Sequence, residues 1–134
     1  MREILFRGKT KDGDWVEGFL FNSQLCRIFW ATAFKEEEDN IFYCEGKDVN
    51  PETVGQFTGL IDLNGKKIFE GDIVKISAIA DIEESLGQVV VNNGAYCVFI
   101  PTNQNPKNQP LLYWLGSSRI EVIGNIHDNP KLLE

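Results

Sequence analysis

Three carboxylates lie close together in the stretch QFTGLIDLNGKKIFEGDIVKI, at Asp62, Glu70 and Asp72. Acids that converge on one point can hold a divalent cation and position water for hydrolysis, as in a nuclease. Asp62 and Glu70 flank Asn64-Gly65, at positions expected to be cross-strand neighbours, which favours proximity. Lys66, Lys67 and Lys75 are interleaved with them, however. Charge pairing and turn stabilisation account for the set without a metal.

The other chemistry-bearing residues point the same way. Glu36 to Asn40 is a block of four contiguous acids and an amide, without the spaced ligands and glycine of a calcium loop. It is expected to be a solvated turn. His127 is the single histidine; with no Ser or Cys beside it, a capping or surface role is expected rather than acid-base catalysis. Cys26, Cys44 and Cys97 are odd in number and widely spaced. No Cys-His spacing matches a zinc site, and buried reduced thiols are expected. Phosphate-cradling glycine loops and nucleophile elbows are absent from the sequence. The residues therefore predict no enzyme, no cofactor and no metal.

The elements that position these residues are short and punctuated by turns. Asn-Gly at 64–65 is a strong hairpin signal, because a two-residue type I′ turn needs positive φ at both central positions. A second reversal is expected at Asn92-Asn93-Gly94, inside the hairpin Gln88 to Ile100, and a polar turn over Lys9 to Asp14 with Gly13 at positive φ. Gly18 interrupts the partner run Trp15 to Phe21, predicting a bulge or close backbone approach. Leu25 to Phe34 is apolar on both faces and its aromatic content favours a strand. Ile41 to Cys44 should pair with it, stopping at Glu45-Gly46. Asn50-Pro51-Glu52-Thr53 carries an N-cap, a proline and an acid in order, the signature of one helical turn. Asp128-Asn129-Pro130 opens another. PTNQNPKNQP, residues 101–110, is expected to be a polar loop, and Ile120 to Ile126 a strand. The pattern predicts a mainly β protein, a small barrel or packed antiparallel sheets with a few single-turn helices; an α+β arrangement is the alternative. Asp12-Gly13…Glu17-Gly18 and Asn64-Gly65…Glu70-Gly71 also look alike, through either common hairpin chemistry or duplication.

PETVGQFTGLIDLNGKKIFEGDIVKI, the opening REILFRGKTKDGDWVEGFLF and the closing EVIGNIHDNP together resemble the YopX family, small proteins encoded by bacteriophages and prophages. The resemblance spans both ends and the middle. It implies a phage or prophage origin and one domain over residues 1–134, and carries no activity with it.

With 134 residues the chain can bury a sizeable core. No apolar run is long enough to span a bilayer, and MREILFRGK does not look like a secretory signal, so the cytoplasm of a bacterial host is expected. The formal charge is −7. Residues 1–35 hold six basic and four acidic groups, and the remaining 99 hold seven and sixteen. Such a surface repels nucleic acid on average, although Arg2, Arg7, Lys9 and Lys11 form a local basic group. What remains is a surplus of aromatics: nine Phe, three Trp and three Tyr. Trp30 and the cluster Tyr113, Trp114 and Leu115 are the expected contact residues. The expected function is therefore a non-enzymatic interaction protein that self-associates or binds a host or phage protein. A nucleic-acid-binding small β barrel is the alternative.

Overall fold

The computed structural model describes residues 3–22, 25–35, 41–77, 84–101, 107–110 and 119–134. The chain falls into two compact units, residues 1–56 and 57–134. Both are built from antiparallel strands, and the described helical elements are two single 3-10 turns, Pro51–Thr53 and Pro130–Leu133. The fold is mainly β, with two antiparallel sheets rather than one closed barrel, and the α+β alternative falls away.

In the first unit β1 (Phe6–Lys9), β2 (Trp15–Asn22), β3 (Cys26–Lys35) and β4 (Ile41–Asp48) lie side by side in the order β4-β3-β2-β1. The first residues of β5 (Gly55–Ile61) add beside β1, Gly55 facing Arg7 and Gln56 facing Phe6. β4 does not stop at Glu45-Gly46 but continues to Asp48, because Gly46 sits opposite Phe29 and leaves room for that ring. Gly18 marks a close approach: a Cβ there would run into the carbonyl oxygen of Phe29. Ile28 and Val49 form the buried apolar centre of this unit, with Val49 against Gly8. Asn50 caps the 3-10 turn through Oδ1, which accepts the Glu52 amide at 3.0 Å, as its sequence position predicts. Thr53 then accepts the Lys9 amide through Oγ1 at 2.8 Å, fastening that turn to β1.

In the second unit the rest of β5 pairs with β6 (Lys67–Phe69). A five-stranded sheet follows in the order β10-β9-β8-β7-β11, from β7 (Asp72–Ile76), β8 (Ser85–Asn92), β9 (Ala95–Ile100), β10 (Lys107–Pro110) and β11 (Ile120–Asn125). Its core is β-branched: Ile68, Val74, Ile76, Val89, Val98 and Ile120 are all buried. β10 corrects the expectation of a loop over 101–110, since Lys107–Pro110 pairs with β9. It is polar and ends in proline because it is an edge strand.

The three glycine turns are of two kinds. Asn93 and Gly94 both have positive φ, 50° and 78°, between the paired residues Asn92 and Ala95, which is a two-residue I′ hairpin. Gly65 has φ 80° but Asn64 does not have positive φ, so the expected I′ turn there is replaced by a longer one. The Gly65 amide reaches the Asp62 carbonyl at 3.0 Å and the Asp62 amide reaches the Lys66 carbonyl at 2.8 Å. That is a type I turn completed by a left-handed glycine. The Thr10–Asp14 turn has the same wiring, with Gly13 to Thr10 at 3.0 Å and Thr10 to Asp14 at 2.8 Å. Thr10 and Asp62 even play one side-chain role, each accepting the amide four residues on.

Candidate interaction face

Two of the three central carboxylates, Asp62 and Asp72, are committed to the backbone. Oδ1 of Asp62 accepts the amides of Asn64 and Lys66 at 2.9 and 2.8 Å, and Oδ2 accepts that of Val122 at 2.9 Å. Burial is the largest influence on Asp62 and works against its charge. The Val122, Lys66 and Asn64 amides with the Lys66 charge together outweigh it and hold the carboxyl below the usual range. Asp72 is almost wholly buried and accepts the Phe69 amide at 2.7 Å. The expected cross-strand proximity of Asp62 and Glu70 is not found, because the register sets Ile61 opposite Lys67 and bonds Asp62 to Lys66. Among the described residues no three His, Cys, Asp or Glu side chains converge as a metal site. His127 lies in a turn organised by Asn125, whose Oδ1 accepts the His127 and Asp128 amides at 3.0 and 2.9 Å. The thiols are all free, and Cys97 is buried as expected. Cys26 is half-buried, with burial pushing its pKa up, whereas Cys44 is exposed, because β4 lies at the edge of its sheet.

Among the described residues, a sheet face in the first unit carries exposed aromatic rings. In the β2–β3 ladder Phe19 faces Phe29 and Phe21 faces Arg27, so these four side chains share one side of the sheet. Leu20 and Ile28 point to the other side, where Ile28 is fully buried. Phe19 is 63% exposed and Phe21 58%. Phe29 is half-buried over Gly46, and the Arg27 guanidinium lies 5.7 Å from its ring centroid. Arg27 is held in turn by Asp48 on β4, Nε to Oδ1 at 3.0 Å. Leu25, 65% exposed, stands just before β3. A cleft of about 580 Å³ opens beside Arg27 and Asp48, with Lys11, Asp12 and Lys47 along its rim.

Of the expected contact residues, Trp30 alone falls among the described residues. Trp30 is half-buried on the face opposite to Phe29, paired with Glu45. Tyr113, Trp114 and Leu115 lie outside the described residues, as do Arg2 and the acidic block 36–40. The described members of the basic group near the amino terminus differ in exposure and engagement. Arg7 places its guanidinium 4.8 Å from the Trp15 ring centroid with Nε and Nη2 buried, Lys9 is half-buried, and Lys11 is exposed on the cleft. Phe19 and Phe21 escaped the sequence reading although a signal existed. WVEGFLF puts three aromatics at alternate positions, Trp15, Phe19 and Phe21 on one side.

A model of the YopX protein family matches residues 5–134, nearly the whole chain. The chain belongs to the YopX family. Membership agrees with the motifs at both ends and the middle. Among solved structures the chain is similar to protein EF1440 from Enterococcus faecalis, at 25% identity and a TM-score of 0.58, covering 100% of each chain. No curated protein matches. In this YopX-family chain no helix among the described residues is long and apolar enough to cross a membrane.

Proposed function

We propose that this YopX-family protein is a non-enzymatic accessory protein of a phage or prophage, acting in the bacterial cytoplasm by protein-protein contact through the β2–β3 face. The observation that carries this is the exposure of Phe19 and Phe21 side by side on β2, opposite Phe29 and Arg27 of β3. Aromatic rings on a rigid sheet lose little conformational freedom on binding and dominate contact energies, and Arg27 and Asp48 supply a polar rim. The engagement of Asp62, Asp72 and the Asn125–His127 turn in backbone hydrogen bonds supports a non-catalytic role.

The test uses the full chain as bait in lysogenic cells, wild type against Phe19→Ser/Phe21→Ser with matched melting temperatures. Near-stoichiometric recovery of one protein by wild type, lost in the double variant, is expected. Equal recovery by both overturns the reading. A second reading has one observation in its favour: Arg27 shares the face of Phe19 and Phe21, so bases could stack there with Arg27 and Lys11 near the phosphates. Salt-dependent anisotropy with labelled single-stranded DNA decides it, and a flat titration eliminates it.

A further inference from the structure

β4 is the outermost strand of its sheet. Its inner bonding pattern fixes which groups face outward. The Val49 amide bonds the Cys26 carbonyl at 3.0 Å, and the register continues as Asp48 with Arg27, Lys47 with Ile28, Gly46 with Phe29 and Glu45 with Trp30. In an antiparallel ladder bonded and non-bonded pairs alternate. Lys47 and Glu45 therefore turn their backbone groups toward β3, whereas Cys44, Gly46 and Asp48 present N–H and C=O to the free edge. Such an edge is a template for another strand. Cys44, Glu45, Lys47 and Asp48 are all exposed, so nothing described covers it.

The side chains select the occupant. We infer that β4 is a self-pairing edge, on which a second copy of this chain lays its own β4 antiparallel about a two-fold axis at Gly46. This rests on the reading that the protein works by contact, and assigns one contact to a copy of itself. With Gly46 facing its counterpart, the outward groups of Cys44 meet those of Asp48 in the other copy. Glu45 then faces Lys47 of the other copy, and Lys47 faces Glu45, in non-bonded pairs where side chains approach most closely. A lone lysine on an edge strand blocks such pairing. Here the glutamate two residues away, at the symmetric position, makes the lysine complementary to its own copy. Among the described residues neither Glu45 nor Lys47 has an ion-pair partner, so both charges are offered to the partner strand. The central glycine suits the axis, since a side chain at 46 would displace the Phe29 ring beneath it.

Sedimentation equilibrium of the full chain tests this with a charge swap. Wild type should dimerise. K47E and E45K each set like charges opposite one another twice per dimer and should weaken the dimer Kd by about tenfold or more. E45K/K47E restores opposite pairs and should return to the wild-type Kd. Both positions of change are solvent-facing, and unaltered melting of the diluted monomer confirms folding. Independently, E45C/K47C in a C44S background should form disulfide-linked dimers under mild oxidation, the non-bonded pair holding Cα atoms about 4.5 Å apart. Equal dimerisation by wild type and both single variants, or a swap that fails to restore the dimer, overturns the inference. A dimer lost in F19S/F21S but kept in K47E overturns the edge while leaving contact through the β2–β3 face intact. A strictly monomeric wild type overturns the edge, and the bait experiment then judges the contact reading on its own.

Discussion

Asp62 and Val122, 60 residues apart in sequence, are joined by a hydrogen bond of 2.9 Å from the Val122 amide to Oδ2. The same carboxylate organises its own turn through Oδ1, and the Leu63 amide adds a bond to the Ile120 carbonyl at 3.0 Å. One buried acid therefore shapes the β5–β6 reversal and pins it to β11. A charged acceptor of several amides is a strong local constraint. Asp62→Asn should cost about 1–3 kcal/mol at neutral pH, because the amide nitrogen cannot accept a bond from an N–H. The Asp62 pKa is lowered by folding, so its contribution is complete above the ordinary carboxylate range near about 4. It is lost as pH falls through the lower folded value. Urea melts should therefore show the gap between wild type and Asp62→Asn closing as pH drops below about 4, with no closure between pH 5 and 7.

The two Asn-Gly sites should respond differently to the same substitution. Asn93 has φ 50°, a conformation alanine adopts poorly, so Asn93→Ala should lose about 1 kcal/mol. Asn64 lacks positive φ and is exposed, and among the described residues its amide alone is hydrogen-bonded, to Asp62. Asn64→Ala should change stability by less than about 0.5 kcal/mol. Gly65→Val should cost about 1–2 kcal/mol through backbone strain alone, since no atom lies within 4 Å of a Cβ built there. Thermal melts of the three variants check the assignment.

These turns show what was legible in the chain. A left-handed backbone leaves Asn and Gly as its mark, so each reversal was locatable, and with them the mainly β fold. The kind of turn at Asn64-Gly65 was not legible, because Asp62 decides it through a side-chain bond and a contact 60 residues away. β10 was missed because an edge strand pairs through its backbone and needs no apolar side chains. Alternation in WVEGFLF assigns Phe19 and Phe21 to one side of a strand, yet it does not say which side the rest of the protein covers. The contact residues expected from composition, Trp30 and 113–115, were sought as clusters of aromatics. The exposed pair Phe19 and Phe21 is spaced by two, and its exposure is visible only once the strand has a partner.

Gly18 should tolerate no side chain. Gly18→Ala drives its Cβ into the Phe29 carbonyl and should cost about 3 kcal/mol, with loss of the β2–β3 ladder. Gly13→Ala is the control: its φ is 88°, and the nearest atom to a Cβ there is the end of the Lys9 side chain at 3.9 Å. That variant should lose about 1–2 kcal/mol through strain alone. Hydrogen exchange of residues 19–29 separates the two, with protection lost only in Gly18→Ala.

Thiol labelling checks the placement of β4. Cys44 is exposed and Cys97 buried, so native protein treated with an aromatic disulfide should release one fast equivalent from Cys44 and none from Cys97 until unfolded. Cys44→Ser should abolish the fast phase.

The contact account is tested most directly by quantitative co-purification from lysogenic cells with wild type and Phe19→Ser/Phe21→Ser baits of equal stability. It predicts one protein recovered in near-stoichiometric amount with wild type and at background with the double variant. Recovery that does not change when both rings are removed would contradict it.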